Sequence, residues 1–312
     1  MRIIFMGTPD FAVASLAALI KENYNVVAVV TAPDRPAGRG QKLRESAVKE
    51  YAKSQNIPVL QPEKLRNPEF LEELKSFKAD LQVVVAFRML PEVVWNMPEY
   101  GTINVHASLL PQYRGAAPIN HAIINGEKET GVTTFLLNHQ IDTGHILLNK
   151  KIEISQDDDA GTLHDKLMHL GASLLTETLE GISENKLKPQ PQEYFIKDEN
   201  LKHAPKIFRE DCKIHWQQET AEVYNQIRGL SPYPGAFSEL EGKNIKIYKS
   251  RPALEEHTKK PGVLWTDGKS FLKVATLDGF IEVLELQLQG KKRMETTEFL
   301  RGHSIEENAR FT

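Results

Sequence analysis

The sequence predicts an α/β protein in which a mostly parallel sheet, built from βαβ units, precedes a smaller β-barrel or sandwich. Three observations carry this prediction. Short apolar runs alternate with helical periodicity through the first half of the chain. Those runs are almost continuously apolar, as strands must be when helices cover both faces of a sheet. After a proline-bearing polar stretch the pattern changes to short segments separated by turn dipeptides.

Taken in order, Arg2–Met6 is the first expected strand, ending at Gly7. Ala12, Leu16, Ala17 and Ile20 give helical spacing over about Phe11–Glu22. Strands are expected again at Val26–Thr31, Leu81–Phe87, Thr102–Ala107 and Val132–Leu137. Leu163, Leu167, Leu170, Leu174 and Leu175 mark a helix over about Gly161–Glu180. Pro189, Pro191 and Pro205 interrupt a polar stretch without periodicity, which reads as a linker. The expected domains are therefore 1–188, a linker at 189–206, and 207–312. A helix over about Thr220–Gly229 opens the second domain. Gly242 separates two short strands, and Asp267-Gly268 and Asp278-Gly279 are expected to be two-residue hairpin turns.

Composition bounds the function. The chain has 312 residues, 40% of them hydrophobic, enough for two ordinary cores. The formal net charge is −3, so contact with nucleic acid requires local basic patches. With Cys212 as the single cysteine there is neither a disulfide framework nor a cysteine-based zinc site, which fits a reducing compartment. The apolar start MRIIFMG is too short for a secretory signal, and no stretch reaches membrane-spanning length. A cytoplasmic protein is expected, with nothing demanding more than a monomer. His145 beside Asp142 lacks a third ligand at usual spacing, so no metal is expected. Cys212 reads as an inert thiol, and Trp95, Trp216 and Trp265 as core or interface residues.

The first strand is followed by Gly7-Thr8-Pro9-Asp10-Phe11. A dinucleotide site needs three spaced glycines so that backbone can approach a pyrophosphate, and those are missing. Gly7 is expected to form a tight turn.

The chemistry concentrates in Thr102–Ile119, TINVHASLLPQYRGAAPI. Asn104 and His106 alternate with Ile103 and Val105, so on a strand both polar side chains share one side. Such a strand is unusual in a covered sheet, and its carboxyl end is where open α/β sheets place ligands. Asp142 follows a later apolar strand and reaches His106 if the two strands are neighbours. Acyl transfer to an amine needs a free lone pair, a stabilised oxyanion and a proton for the leaving nitrogen. The Asn104 amide and a protonated His106 can donate to the oxyanion. Asp142 can orient the imidazole and help collect the proton of the amine. Taken one at a time, each of these residues is more often a satisfied polar group, a cap or a turn former.

The pattern as a whole resembles a known family. Asn104-x-His106, Ser108-Leu109-Leu110-Pro111, Arg114-Gly115 and Asp142-x-Gly144 are similar to the formyltransferases that use 10-formyltetrahydrofolate. The resemblance makes Asn104, His106 and Asp142 catalytic and Ser108, Leu109, Leu110 and Pro111 folate-binding, with 10-formyltetrahydrofolate as formyl donor and no metal. Further motifs, Gly7–Ala12, Ala32–Leu43, Ser231–Leu240 and Gly290–His303, extend the likeness into the second domain and toward the tRNA-directed members of the family. They imply a Rossmann-like first domain, an OB-like second domain that contributes to tRNA binding, and initiator methionyl-tRNA as acceptor.

Arg35, Arg39, Lys42, Arg44 and Lys49 face a single Glu45 in a loop with Pro36, Gly38 and Gly40. Such a loop suits phosphate contacts as well as it suits plain solvation. The resemblance assigns it to the tRNA acceptor stem, with Arg39 as the arginine used there and Lys42 and Arg44 beside it. Lys202, His203, Lys206 and Arg209 make the linker basic, and Lys206 is the tRNA contact expected from it. Residues 207–312 carry 16 basic and 16 acidic side chains, so binding there requires charge gathered on one face. Two other readings remain: the same chemistry on a small amine such as a glycinamide nucleotide or an amino sugar, and an RNA-binding protein whose polar trio is idle.

Overall fold

The computed structural model describes residues 1–37, 42–196 and 200–312; Arg39 lies outside the described residues, and only the backbone of Lys42 is described. The chain divides into two compact units: 1–115, 130–152 and 164–203 in one, 116–129, 153–163 and 204–312 in the other.

In chain order the elements are β1 (Arg2–Gly7), α1 (Asp10–Lys21), β2 (Asn25–Val30), β3 (Arg35–Ala37), β4 (Lys42–Arg44), α2 (Ala47–Ser54), β5 (Val59–Leu60), α3 (Pro68–Ser76) and β6 (Leu81–Val85). There follow α4 (Glu92–Trp95), β7 (Thr102–His106), β8 (Arg114–Gly115), α5 (Pro118–Ile124), β9 (Glu129–Leu136), β10 (Ile146–Glu153) and α6 (Ala160–Ser183). The remainder are β11 (His203–Ala204), α7 (Thr220–Gly229), β12 (Ala236–Leu240), β13 (Lys243–Ala253), β14 (Leu264–Thr266), β15 (Leu272–Ala275), β16 (Phe280–Leu288), β17 (Met294–Glu295) and α8 (Thr296–Gly302).

The first unit is built on a seven-stranded sheet in the order β10-β9-β7-β6-β1-β2-β5. β1 pairs in parallel with β2 and β6, β6 with β7, and β2 with β5; β9 runs antiparallel to β7. The continuous apolar run of β1 follows from its central place, since Ile3, Ile4, Phe5 and Met6 are all buried. Strands leave β1 in opposite directions through the sheet, which opens a switch-point crevice at the carboxyl ends of β1 and β6.

Gly7 has an explanation other than the expected turn. A Cβ there would come 2.6 Å from the Ala12 Cβ and 3.0 Å from the Val85 carbonyl oxygen. The glycine lets α1 and β6 close on the end of β1, and its φ is not in the left-handed region.

The second unit is a curled antiparallel half-barrel, β12-β13-β16-β15-β14, with β17 pairing β16. Its core gathers Trp216, Val223, Ile227, Ile245, Ile247, Val274, Ile281 and Phe299. Two earlier stretches, 116–129 and 153–163, belong to this unit for identifiable reasons. The buried Arg228 donates to the carbonyls of Ser155 and Asp158 at 3.2 and 2.8 Å, and the Tyr224 hydroxyl to the carbonyl of Gln156 at 2.9 Å. Asn120 donates to the Gly229 carbonyl at 2.8 Å. A guanidinium satisfied by backbone carbonyls costs too much to strip, so these segments are held by polar bonds as much as by packing.

The two expected two-residue turns are longer loops. Asp267 to Phe271 separates β14 from β15, and Thr276 to Gly279 separates β15 from β16. The Asp267 carboxylate accepts from the backbone amides of Lys269, Ser270 and Phe271 at 2.8, 2.7 and 3.3 Å, which stabilises a wider loop than a tight hairpin turn. Asp278 is occupied elsewhere: it accepts from the Thr220 amide at 2.7 Å at the start of α7. Among the described residues no helix is long and apolar enough to cross a membrane.

Candidate active site

β7 supplies the first two polar groups. Its period of two puts Asn104 and His106 on one face, with Ile103 and Val105 buried on the other. Asn104 is partly exposed, and among the described residues its side-chain amide has no hydrogen-bond partner. His106 is buried, and its Nε2 donates to the Tyr113 carbonyl at 2.9 Å. A carbonyl can only accept, so Nε2 carries a proton and Nδ1 is the other working nitrogen.

Nδ1 faces the Asp142 carboxylate, 3.9 Å from Oδ2. The register explains why this is not a simple neighbour contact. β9 is antiparallel to β7, with Leu136 opposite Ile103 and Thr133 opposite His106. The chain therefore leaves β9 at the far end of β7, and Asp142 reaches His106 because the following loop doubles back. Asp142 adopts a left-handed backbone conformation, φ 54°. Its Oδ2 accepts from the Gly115 amide at 3.0 Å, which pins the carboxylate.

Two further residues secure that loop, and neither was singled out from the sequence for this purpose. Gly144 sits so close to β9 that a Cβ would lie 1.6 Å from the Leu136 carbonyl oxygen. Gln192 is 1% exposed and donates to the carbonyls of both Asp142 and Gly144 at 2.9 Å. Its Oε1 accepts from Arg114 Nε and Nη2 at 3.0 and 2.6 Å. Burial pushes the Arg114 guanidinium down from its ordinary value, and the Glu193 and Asp142 carboxylates oppose that shift. Gln192 lies in the stretch read as a linker; a glutamine just after Pro191, in a run without periodicity, gives no pattern by which to find it. Gln192→Ala is expected to lower turnover about tenfold and stability by about 1–3 kcal/mol, because two backbone carbonyls and a half-buried guanidinium lose their partner. Chemical denaturation and initial-rate assays check this.

Ser108–Pro111 packs mostly inward. Ser108, Leu110 and Pro111 are buried, and Leu109 is partly exposed. The Ser108 hydroxyl donates to the Gln112 carbonyl at 2.7 Å, and Leu110 packs with Phe135 and Ile146. Thr133 Oγ1 donates to the Ser108 carbonyl at 2.7 Å and accepts from the Leu110 amide at 3.1 Å, fixing the stretch beside His106. Arg44 is exposed at the end of β4. Lys206 is exposed in the second unit, with Nζ 5.4 Å from the centre of the Phe208 ring.

Comparison with known proteins follows the same division. The family model described as formyl transferase matches residues 1–179, and the one described as formyl transferase, C-terminal domain, matches residues 206–304. A methionyl-tRNA formyltransferase of Bacteroides fragilis is 56% identical over 98% of this chain and 96% of its own length.

The chain belongs to the formyl transferase family.

It is an enzyme of that family, with a Rossmann-like catalytic sheet and an OB-like half-barrel. Solved structures share this formyl transferase fold at low identity. HypX from Aquifex aeolicus, in complex with tetrahydrofolic acid, superposes with a TM-score of 0.65 at 20% identity over 96% of this chain. This chain spans 47% of HypX, about half its length. The N-formyltransferase from Helicobacter canadensis, in complex with folinic acid and dTDP-3-aminofucose, superposes with a TM-score of 0.68 at 21% identity, covering 94% of this chain and 99% of that one.

Proposed function

We propose that this enzyme transfers the formyl group of 10-formyltetrahydrofolate to the α-amino group of methionine on initiator methionyl-tRNA, yielding formylmethionyl-tRNA for translation initiation. The observation that carries the reading is 56% identity to an enzyme of that name along 98% of the chain. The geometry at β7 supplies a chemistry to match.

The neutral amine attacks the formyl carbon, and the carbonyl oxygen takes up negative charge. The amide of Asn104, without a hydrogen-bond partner among the described residues, is the donor for that oxyanion. The attacking nitrogen then loses a proton, the bond from the formyl carbon to the folate nitrogen breaks, and that nitrogen gains a proton. His106 handles the proton through Nδ1, since Nε2 is committed to the Tyr113 carbonyl. Asp142 faces Nδ1 at 3.9 Å and orients the ring. No nucleophilic serine or cysteine enters, because the amine attacks directly.

In the same reading Ser108–Pro111 borders the folate, with Leu109 as its partly exposed member. Residues 1–188 form the catalytic domain, 189–206 connect it onward, and 207–312 contribute to tRNA binding. Arg39, Lys42 and Arg44 contact the acceptor stem and Lys206 the backbone further along. The enzyme acts in the cytoplasm as a monomer.

The test is initial-rate formylation with 10-formyltetrahydrofolate as donor, comparing methionyl-tRNA with free methionine. Transfer to methionyl-tRNA at a kcat/KM at least 10²-fold higher is expected, on the order of the loss that follows when remote binding interactions are removed. Equal rates would discard the tRNA assignment, and preference for an amino sugar would favour the small-molecule reading.

A further inference from the structure

A second constellation in the first unit takes no part in the proton and oxyanion chemistry above, although one of its members, Arg44, is among the tRNA contacts proposed there. A cavity of about 440 Å³ lies beyond the carboxyl ends of β1, β2 and β6, bordered by Thr8, Ala32, Phe87 and three arginines, Arg35, Arg44 and Arg88. This is the switch-point crevice of the sheet, where open α/β folds place ligands. None of Asn104, His106 and Asp142 borders it.

The arginines are arranged at a cost. Arg35 and Arg44 are directly opposed in the antiparallel pair β3–β4, an arrangement that destabilises a ribbon when both side chains carry the same charge. Arg88 is close enough to Arg35 that the second guanidinium, after burial, is what disfavours its charged form. Arg88 is anchored by donating to the carbonyls of Pro62 and Glu63. Glu45, the carboxylate on the cavity wall, is engaged by Lys53 at 3.0 Å and Lys49 at 3.2 Å, so it does not discharge the arginines. Three like charges around one hollow are stabilised when an anion enters it.

The position selects the anion. β1 lies two strands from β7, with β6 between them, a lateral distance of about 10 Å at ~4.8 Å per strand. In a methionyl ester of a 3′-terminal nucleotide, roughly eight bonds separate the α-amine from the 5′-phosphorus, a reach of about 9 Å at the ~3.3–3.6 Å that three bonds of extended chain span. With the amine at Asn104 and His106, the phosphate lies about as far from β7 as β1, the strand whose carboxyl end opens on the cavity.

We propose that this cavity seats the 5′-phosphate of the nucleotide bearing the methionyl group, with Arg35 and Arg44 as its counter-charges and Arg88 as a fixed third. The proposal rests on the function assigned above. The phosphate acts as a ruler: it fixes how far the ester, and hence the amine, extends toward β7.

Two minimal acceptors test it in the full-length enzyme, 3′-O-methionyl-adenosine and the same compound carrying a 5′-phosphate. The wild type is expected to prefer the phosphorylated compound by about 10- to 100-fold in kcat/KM, the contribution of one or two charge-assisted hydrogen bonds. Arg35→Ala is expected to bring that ratio to within about threefold of unity, and Arg35→Lys to restore part of it. Arg44→Ala should act in the same direction. A ratio near one in the wild type, or an undiminished ratio in Arg35→Ala, overturns the proposal. So does a raised KM for 10-formyltetrahydrofolate with the acceptor ratio intact, which would assign the cavity to the carboxylates of the folate tail. Failure of the wild type to formylate methionyl-tRNA at all is a separate result, and removes the functional assignment itself.

Discussion

Asn104→Ala is expected to lower kcat for formyl transfer by about 10²–10³, the usual loss when one preorganised oxyanion donor is removed, while leaving the KM for methionyl-tRNA nearly unchanged. The expectation follows from what the side chain does in the resting structure. Its amide has no partner among the described residues, although it lies on the same face of β7 as the buried His106. Because the amide is partly exposed and bonds to none of the described residues, its removal should hardly change stability. The two readouts therefore separate: steady-state kinetics should show a large fall in kcat, and a thermal melt should show almost none in Tm. His106→Ala should abolish turnover by a different route, through loss of the proton carrier, while sparing tRNA binding. If Asn104→Ala kept more than a third of wild-type turnover, the oxyanion would have to be held by something other than this amide.

Gly144→Ala is the second large effect, and it acts through geometry alone. The added methyl would lie 1.6 Å from the Leu136 carbonyl oxygen and 2.8 Å from its carbon. Both obstacles are backbone, so no rotamer change relieves the clash, and the loop must lift away from β9 by more than an ångström. Asp142 lies two residues earlier, and both it and Gly144 are tied to Gln192 through their carbonyls. Displacing them moves the carboxylate off the imidazole it faces at 3.9 Å. A shift of about 1 Å in such a group can cost about 10²-fold in rate, and overpacking of this kind costs about 1–3 kcal/mol in stability. The measurements are kcat and the urea midpoint. Gly302→Ala serves as the control, since a Cβ there meets nothing within 4 Å and should leave both unchanged. Near-normal kcat in Gly144→Ala would mean that the position of Asp142 does not govern the chemistry.

Asn104 and Asp142 show where reading the chain in one dimension succeeds and where it stops. Asn104 and His106 share a face because a strand repeats every two residues, a property of the local backbone that five consecutive letters suffice to reveal. The near-continuous apolar runs of β1 and β6 likewise announce a covered sheet, since any polar side chain there would be desolvated without a partner. Helical spacing in α1, α6 and α7 is equally local.

Asp142 is a different case. Its neighbourhood in the chain marks a turn, and a turn can point anywhere. Its approach to His106 depends on β9 running antiparallel to β7, on the loop doubling back, and on Gln192, fifty residues away in the chain, holding the loop down. Gln192 itself lies in a stretch with no periodicity, so only the folded structure reveals it as buried. The opposed arginines of β3 and β4 are visible in the sequence as a basic loop, but their register, and the hollow they share with Arg88, exist only after the ribbon pairs and the sheet forms.

What the sequence determined by itself is thus everything that short-range periodicity dictates: the classes of element, the covered sheet, and which two polar groups β7 presents together. What tertiary structure decided is which distant groups meet them, because the antiparallel turn of β9, the glycine contact at Leu136 and the buried glutamine act across stretches of chain that carry no local record of one another.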